Sequence, residues 1–179
     1  MGGVTAAPPR APERFATERL VAERMTPGHW PELRAMDLDP RVMATLGGVR
    51  TEEQSRAYHD LNLEQWRRHG YGIWILRTAG DGAFAGRAGL RNVEWDGAGE
   101  VELAYALAAD FHGRGLATEI ARAILRIAFE EIGLPDVVAF TAVDHLRSRR
   151  VMEKCGLTFD REIFRKGMPQ VLYRLRRAG

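Results

Sequence analysis

The chain has little with which to stitch, anchor or coordinate. One cysteine, Cys155, in 179 residues excludes an internal disulfide and fits a reducing compartment. Lysine is nearly missing: Lys154 and Lys166 are the only two among 26 basic side chains, so positive charge is carried by arginine. The 24 acidic residues leave a net charge of +2. With no long basic run, recognition helix or zinc finger, a nucleic-acid binder built on Arg147, Arg149 and Arg150 would rest on charge alone, and Glu153 dilutes that charge. No apolar run is long enough to span a bilayer, and the first residues carry no charged-then-apolar leader. Ala6 stands where a myristoylation signal wants Ser or Thr. These absences point to a cytoplasmic protein. No His/Cys/Asp/Glu set has metal spacing. Neither a Gly-Lys-Ser/Thr phosphate loop nor a G-x-G-x-x-G dinucleotide pattern occurs.

What is present suits one globular domain, since 45% of the residues are apolar. Residues 1–14, rich in Gly, Ala and Pro, read as a disordered tail, and 15–179 as a single domain. Residues 19–25 have strand character, and Thr26-Pro27 opens a short helix to about Met36. A second short helix is expected between Asp37 and Gly48. Thr51 and Gln54 form a capping box at the start of a helix that runs to about His69 and stops at Gly70. Strands follow at 71–77 and 83–93, joined by Gly80-Asp81-Gly82, and a turn at Asp96-Gly97-Ala98-Gly99 leads to another at 101–107. The remaining elements are a helix over 116–132, a strand at 137–143, a helix at 147–155, and a strand pair at 159–164 and 171–176. The expected class is α/β, with a mixed, mostly antiparallel sheet of six to seven strands flanked by helices.

The chain is organised around Phe111-His112-Gly113-Arg114-Gly115-Leu116-Ala117-Thr118-Glu119. The run before it alternates with strand period: Val101, Leu103, Tyr105 and Leu107 on one face, Glu102, Ala104 and Ala106 on the other. The run after it places Leu116, Ile120, Ile124 and Ile127 on one helical stripe, and Gly133 and Pro135 end it. The glycines therefore stand where a strand gives way to a helix. The first N–H groups of that helix lack partners and its dipole is positive, which suits a phosphate.

This junction resembles motif A of the GNAT acyltransferase family, Q/R-x-x-G-x-G/A, with Asp110 in place of the first residue. A second block, Ser148-Arg149-Arg150-Val151-Met152-Glu153-Lys154-Cys155-Gly156-Leu157, is similar to the family's N-x-x-S-x-R-V-x-E-K-x-G-F, with His145 for Asn and Leu157 for Phe. Glu102-Leu103-Ala104-Tyr105 resembles the E-x-G-Y of the preceding strand. The likeness covers roughly residues 17–177 and is closest to the branch that acetylates ribosomal-protein N-termini.

The resemblance implies an N-acetyltransferase moving acetyl from acetyl-CoA to a primary amine, at a protein N-terminus or on a small molecule, with no metal and no covalent enzyme intermediate. It implies that CoA is held along Leu107, Ala108, His112, Gly113, Arg114, Gly115, Leu116, Ala117 and Thr118, and by His145, Ser148 and Arg149. Arg147 is a further phosphate partner, and His112 shapes the loop. A backbone N–H near Leu107 would polarise the thioester carbonyl. Glu102, on a strand the family splays from its neighbour, is the candidate base acting through water, with Glu100 as the weaker alternative. Ser148 is the candidate donor near the sulfur, because residues 147–155 hold no Tyr. Cys155 reads as a packed side chain. The acceptor would be gripped by residues 37–51 and 165–170. The expected partners are acetyl-CoA, an amine and a second copy of the chain, with no nucleic acid and no membrane. The competing class is a catalytically silent acyl-CoA sensor of the same fold.

Overall fold

The computed structural model describes residues 10–95 and 97–178. Strands β1 (Arg14–Ala16) and β2 (Leu20–Arg24) form a hairpin, and a 3-10 turn at Pro27–His29 leads into helices α1 (Trp30–Leu38), α2 (Pro40–Met43) and α3 (Glu52–His69). β3 (Ile73–Thr78), β4 (Phe84–Trp95) and β5 (Ala98–Leu107) follow as a meander. α4 (Leu116–Arg126) continues as a π-helical stretch, Ile127–Ile132, and returns the chain to β6 (Asp136–Ala142). α5 (Leu146–Lys154), β7 (Thr158–Arg165) and β8 (Met168–Arg176) complete it. The strands make one sheet in the order β1-β2-β3-β4-β5-β6-β8-β7. All neighbours are antiparallel except β5 and β6, which are parallel and joined by the crossover through α4 and its π-helical continuation.

The local signals account for most of these boundaries. Thr51 Oγ1 accepts the Gln54 N–H at 3.2 Å while Gln54 Oε1 accepts the Thr51 N–H at 2.9 Å, so both orphan donors at the start of α3 are satisfied. Gly70, left-handed at φ 72°, closes that helix. Along α4 and into its π-helical continuation the stripe Leu116, Ile120, Ile124 and Ile127 is buried, in one cluster with Leu103 and Leu107 of β5. Each such side chain contributes roughly 1.5–3 kcal/mol by leaving water. The other face of the sheet packs Ala104 with Met25, Leu33, Ile73 and Ile75, and Ala106 with Met36, Val42 and Met43. β5 thus separates a layer of α4 and α5 from a layer of α1–α3, as its alternation requires.

Two expectations need correction. The expected tail runs through residue 14, yet the structure holds residues 11–13. The Ala11 N–H donates to the Gly70 carbonyl at 2.9 Å and Trp74 Nε1 donates to the Pro12 carbonyl at 3.0 Å, with Ala11 buried. Residues 1–9 lie outside the described residues. The sheet also gains an eighth strand, β1, because Phe15 stacks edge-on against Trp74 at 5.3 Å. Three residues are too few to show a period. The expected turn after β4 includes Asp96, which lies outside the described residues. Among those described, no helix is long and apolar enough to cross a membrane.

The sheet is interrupted between β5 and β6. β5 and β6 share one registered pair, Glu102 with Val138. Beyond it, residues 103–107 of β5 and 139–142 of β6 carry no mutual pairing, so the backbone groups between them face a gap.

Candidate active site

The gap opens into a cleft of about 1040 Å³. Leu103 to Leu107 form one wall and Phe140 to Ala142 the other, with the glycine junction at one end and α5 alongside. This volume reaches the upper end of small-molecule sites, so a long cosubstrate and an acceptor both fit.

At the glycine junction, Gly113 and Gly115 have φ of 75° and 77°, a left-handed conformation that favours residues without a Cβ. A Cβ at Gly113 would meet nothing within 4 Å, and one at Gly115 only the end of Arg19 at 3.6 Å. The space above both is therefore open to a ligand, and the start of α4 at Leu116, Ala117 and Thr118 lines the same cleft. The loop is fixed from behind by contacts of Glu119 with Thr17 and Arg19 that no sequence pattern shows. Glu119 Oε1 accepts from Thr17 Oγ1 at 2.6 Å and Oε2 from Arg19 Nε at 2.7 Å, while Arg19 Nη1 donates to the Arg114 carbonyl at 2.8 Å. Their partners stand a hundred residues apart in sequence, so no local pattern could have shown them.

His112 shapes this loop. Its Nε2 lies 2.9 Å from the Leu107 carbonyl, which can only accept, so that nitrogen carries the proton. The Ala108 N–H donates to the Ala85 carbonyl at 2.9 Å. Strand alternation then turns the Leu107 N–H the opposite way, into the gap.

On α5, Ser148 is buried and faces the cleft. Its Oγ lies 2.9 Å from the hydroxyl of Tyr105, which reaches across from β5. Burial pushes the Tyr105 phenol up to about 12, against a smaller opposing effect of Ser148. The tyrosine missing from α5 is thus supplied by the neighbouring strand. Its signal was in the sequence, since Tyr105 lies on the face of β5 that meets α4 and α5. His145 lines the cleft, and burial, aided by Arg147 and His112 and opposed by Asp144, lowers its imidazole below the ordinary value. Cys155 is half-buried, with Sγ 3.7 Å from the Thr118 carbonyl, and burial pushes its thiol up, so it is no nucleophile.

Three of the expected CoA contacts stand off the cleft. Ala108 spends its N–H on β4, as above, and the Arg114 guanidinium lies over the Phe111 ring at 5.4 Å. Arg149 bolts α5 to the sheet by donating to the Tyr173 hydroxyl at 3.1 Å and the Val143 carbonyl at 3.0 Å. The cations that α5 offers the cleft are Arg147, Arg150 and Lys154.

Glu102 is 6% exposed at the point where pairing with β6 ends. Its Oε2 accepts from Arg91 Nη2 at 2.7 Å and lies 3.9 Å from Arg165. Glu100 is spent elsewhere: both its oxygens accept from Arg174, at 2.7 and 3.0 Å, within a cluster that includes Asp136 and Asp160. Only the first of the two carboxylates faces the cleft.

Beyond Glu102 the cleft is walled by Arg50, Tyr58, Arg87, Arg91, Arg165 and Lys166, which come from both segments expected to grip the acceptor and from β4 and α3 between them. Arg50 and Arg87 both donate to Asp37 Oδ1, at 2.8 and 3.1 Å. Burial pushes the Asp37 carboxyl up, and the charges of Arg87 and Arg50 outweigh it, so its pKa lies below the ordinary carboxylate value.

Comparison with known proteins agrees with this geometry. Residues 19–158 match the model of a family described as acetyltransferase (GNAT) domain. The FsC-acetyl coenzyme A-N(2)-transacetylase of Aspergillus fumigatus is 29% identical over 169 residues, covering 88% of this chain and 70% of the relative. An acetyltransferase structure from Agrobacterium tumefaciens superposes with a TM-score of 0.81 at 25% identity, over 92% of this chain and 94% of that one. The ribosomal L7/L12 N-terminal acetyltransferase RimL, solved with coenzyme A, shares the fold at a TM-score of 0.77 and 16% identity, over 92% and 98%.

Proposed function

Because the chain belongs to the GNAT acetyltransferase family, we propose that it moves the acetyl group of acetyl-CoA directly onto a primary amine, at a protein N-terminus or on a small molecule. Acetyl-CoA supplies an acyl group already activated by a thiol leaving group. The amine lone pair forms the new C–N bond, the C–S pair departs on sulfur, and one amine proton is released. Each task has a residue in the cleft. The backbone at Gly113, Gly115 and the start of α4 receives the pyrophosphate, with Arg147, Arg150 and Lys154 adding charge. The Leu107 N–H donates to the thioester oxygen. Glu102 takes the amine proton through water at Oε1, the oxygen its arginines leave free. The paired hydroxyls of Tyr105 and Ser148 donate toward sulfur.

The observation that carries this reading is the position of Glu102. It is the last residue of β5 paired to β6, so its carboxylate stands at the apex of a gap whose far end is the glycine junction. A panel of N-terminal peptides, aminoglycosides and polyamines, read by release of CoA thiol, tests it. At least one amine should release thiol above background hydrolysis. Tight acetyl-CoA binding with no release for any amine would mark an acyl-CoA sensor instead.

A further inference from the structure

The acceptor end of the cleft carries more positive charge than the fold uses. Five cations line it, Arg50, Arg87, Arg91, Arg165 and Lys166, and two carboxylates answer them, Asp37 and Glu102. Arg50 and Arg87 are committed to Asp37 and brace the wall. Arg91 spends Nη2 on Glu102 while its buried Nε has no partner. Arg165 has a side chain only 15% exposed, and its one ion contact, to Glu102, is long at 3.9 Å. Lys166 makes no ion pair among the described residues. It is held at the β7–β8 hairpin tip by an unusual positive φ of 54°, which turns it toward the same space. Around Glu102, three cations face one carboxylate, so two positive charges are left uncompensated in a partly desolvated cleft, where an unpaired charge is costly unless a ligand answers it.

The CoA phosphates do not answer them, because the glycine junction follows Leu107, five residues and roughly 17 Å along β5 from Glu102. Tyr58 stands among the arginines, with guanidinium carbons 4.2, 4.6 and 5.6 Å from its ring centre for Arg50, Arg87 and Arg91, so it stiffens the cluster as one surface. We propose that the amine acceptor carries an anionic group, a carboxylate or a phosphate, which docks on Arg91, Arg165 and Lys166 beside Glu102. The amine would then lie on the CoA side of the carboxylate that receives its proton. The arrangement also guards Glu102, since an acceptor with a second cation in place of the anion would meet guanidinium groups rather than a counter-charge.

The proposal rests on the acetyltransferase reading, and its test separates the two. Matched acceptors differing only in the anion are compared: Asp-Ala-amide against Asn-Ala-amide, and O-phosphoethanolamine against ethanolamine, at equal concentrations of unprotonated amine. Thiol release gives kcat/KM, and calorimetry on the CoA-loaded protein gives binding. In at least one pair the anionic member should be favoured by about tenfold or more. Which pair responds distinguishes carboxylate from phosphate. Arg165→Gln and Lys166→Gln should erase the preference without changing CoA affinity, and Arg165→Lys should restore part of it. Preferential binding of an anionic probe without turnover would uphold the anion site and sink the acetyltransferase reading. Twins equal in both turnover and binding, or a preference untouched by both glutamine variants, would overturn the proposal.

Discussion

Arg91 donates to Glu102 Oε2 at 2.7 Å across the β4–β5 pair, with the two side chains 12% and 8% exposed. The contact does two things at once. It supplies the counter-charge without which a carboxylate could not sit at this depth, and it orients that carboxylate by committing one oxygen. The other oxygen is left to the cleft, so the pair that makes Glu102 affordable to the fold also makes it usable.

The Asp37 pair should matter for folding rather than chemistry. Asp37→Asn leaves Arg87 buried without its counter-charge, which typically costs about 3–5 kcal/mol, or on the order of 10 °C in Tm for a chain of this size. Because the folded carboxyl titrates below its unfolded value, its contribution is complete above the ordinary carboxylate pKa and is lost as pH falls through the folded one. Thermal melts of the parent between about pH 3 and 5 should rise with pH more steeply than those of the variant. Parallel curves would contradict the assignment.

The Tyr105–Ser148 contact implies a modest role in thiol departure. Thiols ionise near 8.5, so sulfur leaves readily, and a phenol raised to about 12 is a reluctant acid. Removing either hydroxyl deletes one hydrogen bond, about 0.5–1.5 kcal/mol. Tyr105→Phe and Ser148→Ala should each lose roughly tenfold or less in kcat, and the double variant little more than the worse single one. A thousandfold fall for either would make it an indispensable acid.

His145 should act in binding. Its lowered pKa keeps the imidazole neutral at physiological pH, so it offers a hydrogen bond and no charge. In His145→Ala the KM for acetyl-CoA should rise several-fold with a smaller change in kcat, since such a contact exists before and during reaction. Steady-state kinetics with acetyl-CoA varied decide this. A fall in kcat at unchanged KM would show that the residue acts on the reaction instead.

Much of this fold is legible in the sequence. The glycine junction, the α4 stripe and the Thr51 box are local patterns with local causes, and each lies where its spacing put it. The failures share a different cause. Tyr105 and Ser148 meet across 43 positions and Arg19 and Glu119 across 100, so these contacts exist only once the sheet has formed. Arg149 is ambiguous in sequence, because a guanidinium suits a phosphate and a tyrosine hydroxyl alike, and in the fold it donates to Tyr173. The acceptor cluster was invisible for the same reason, since its cations come from four separate elements or loops.

The cofactor end is tested at Gly115. Asp is among the few residues that enter the left-handed conformation Gly115 holds, and a Cβ there meets only the end of Arg19 at 3.6 Å, so Gly115→Asp should fold at a modest local cost, checked by its thermal melt. It places a carboxylate where the pyrophosphate would lie, and calorimetry should show CoA affinity reduced by roughly a hundredfold or more. A folded variant with parental affinity would remove the phosphates from this junction.

The most direct test of the central claim is the rate of acetyl transfer by Glu102→Gln, measured across pH beside its affinity for CoA. Glutamine keeps the shape and can still accept the Arg91 hydrogen bond, but cannot take a proton. Turnover should fall by about a hundredfold or more, the acidic limb of the rate–pH curve should vanish, and CoA should bind as before. A variant within twofold of the parent at neutral pH, with the acidic limb intact, would show that the amine loses its proton elsewhere.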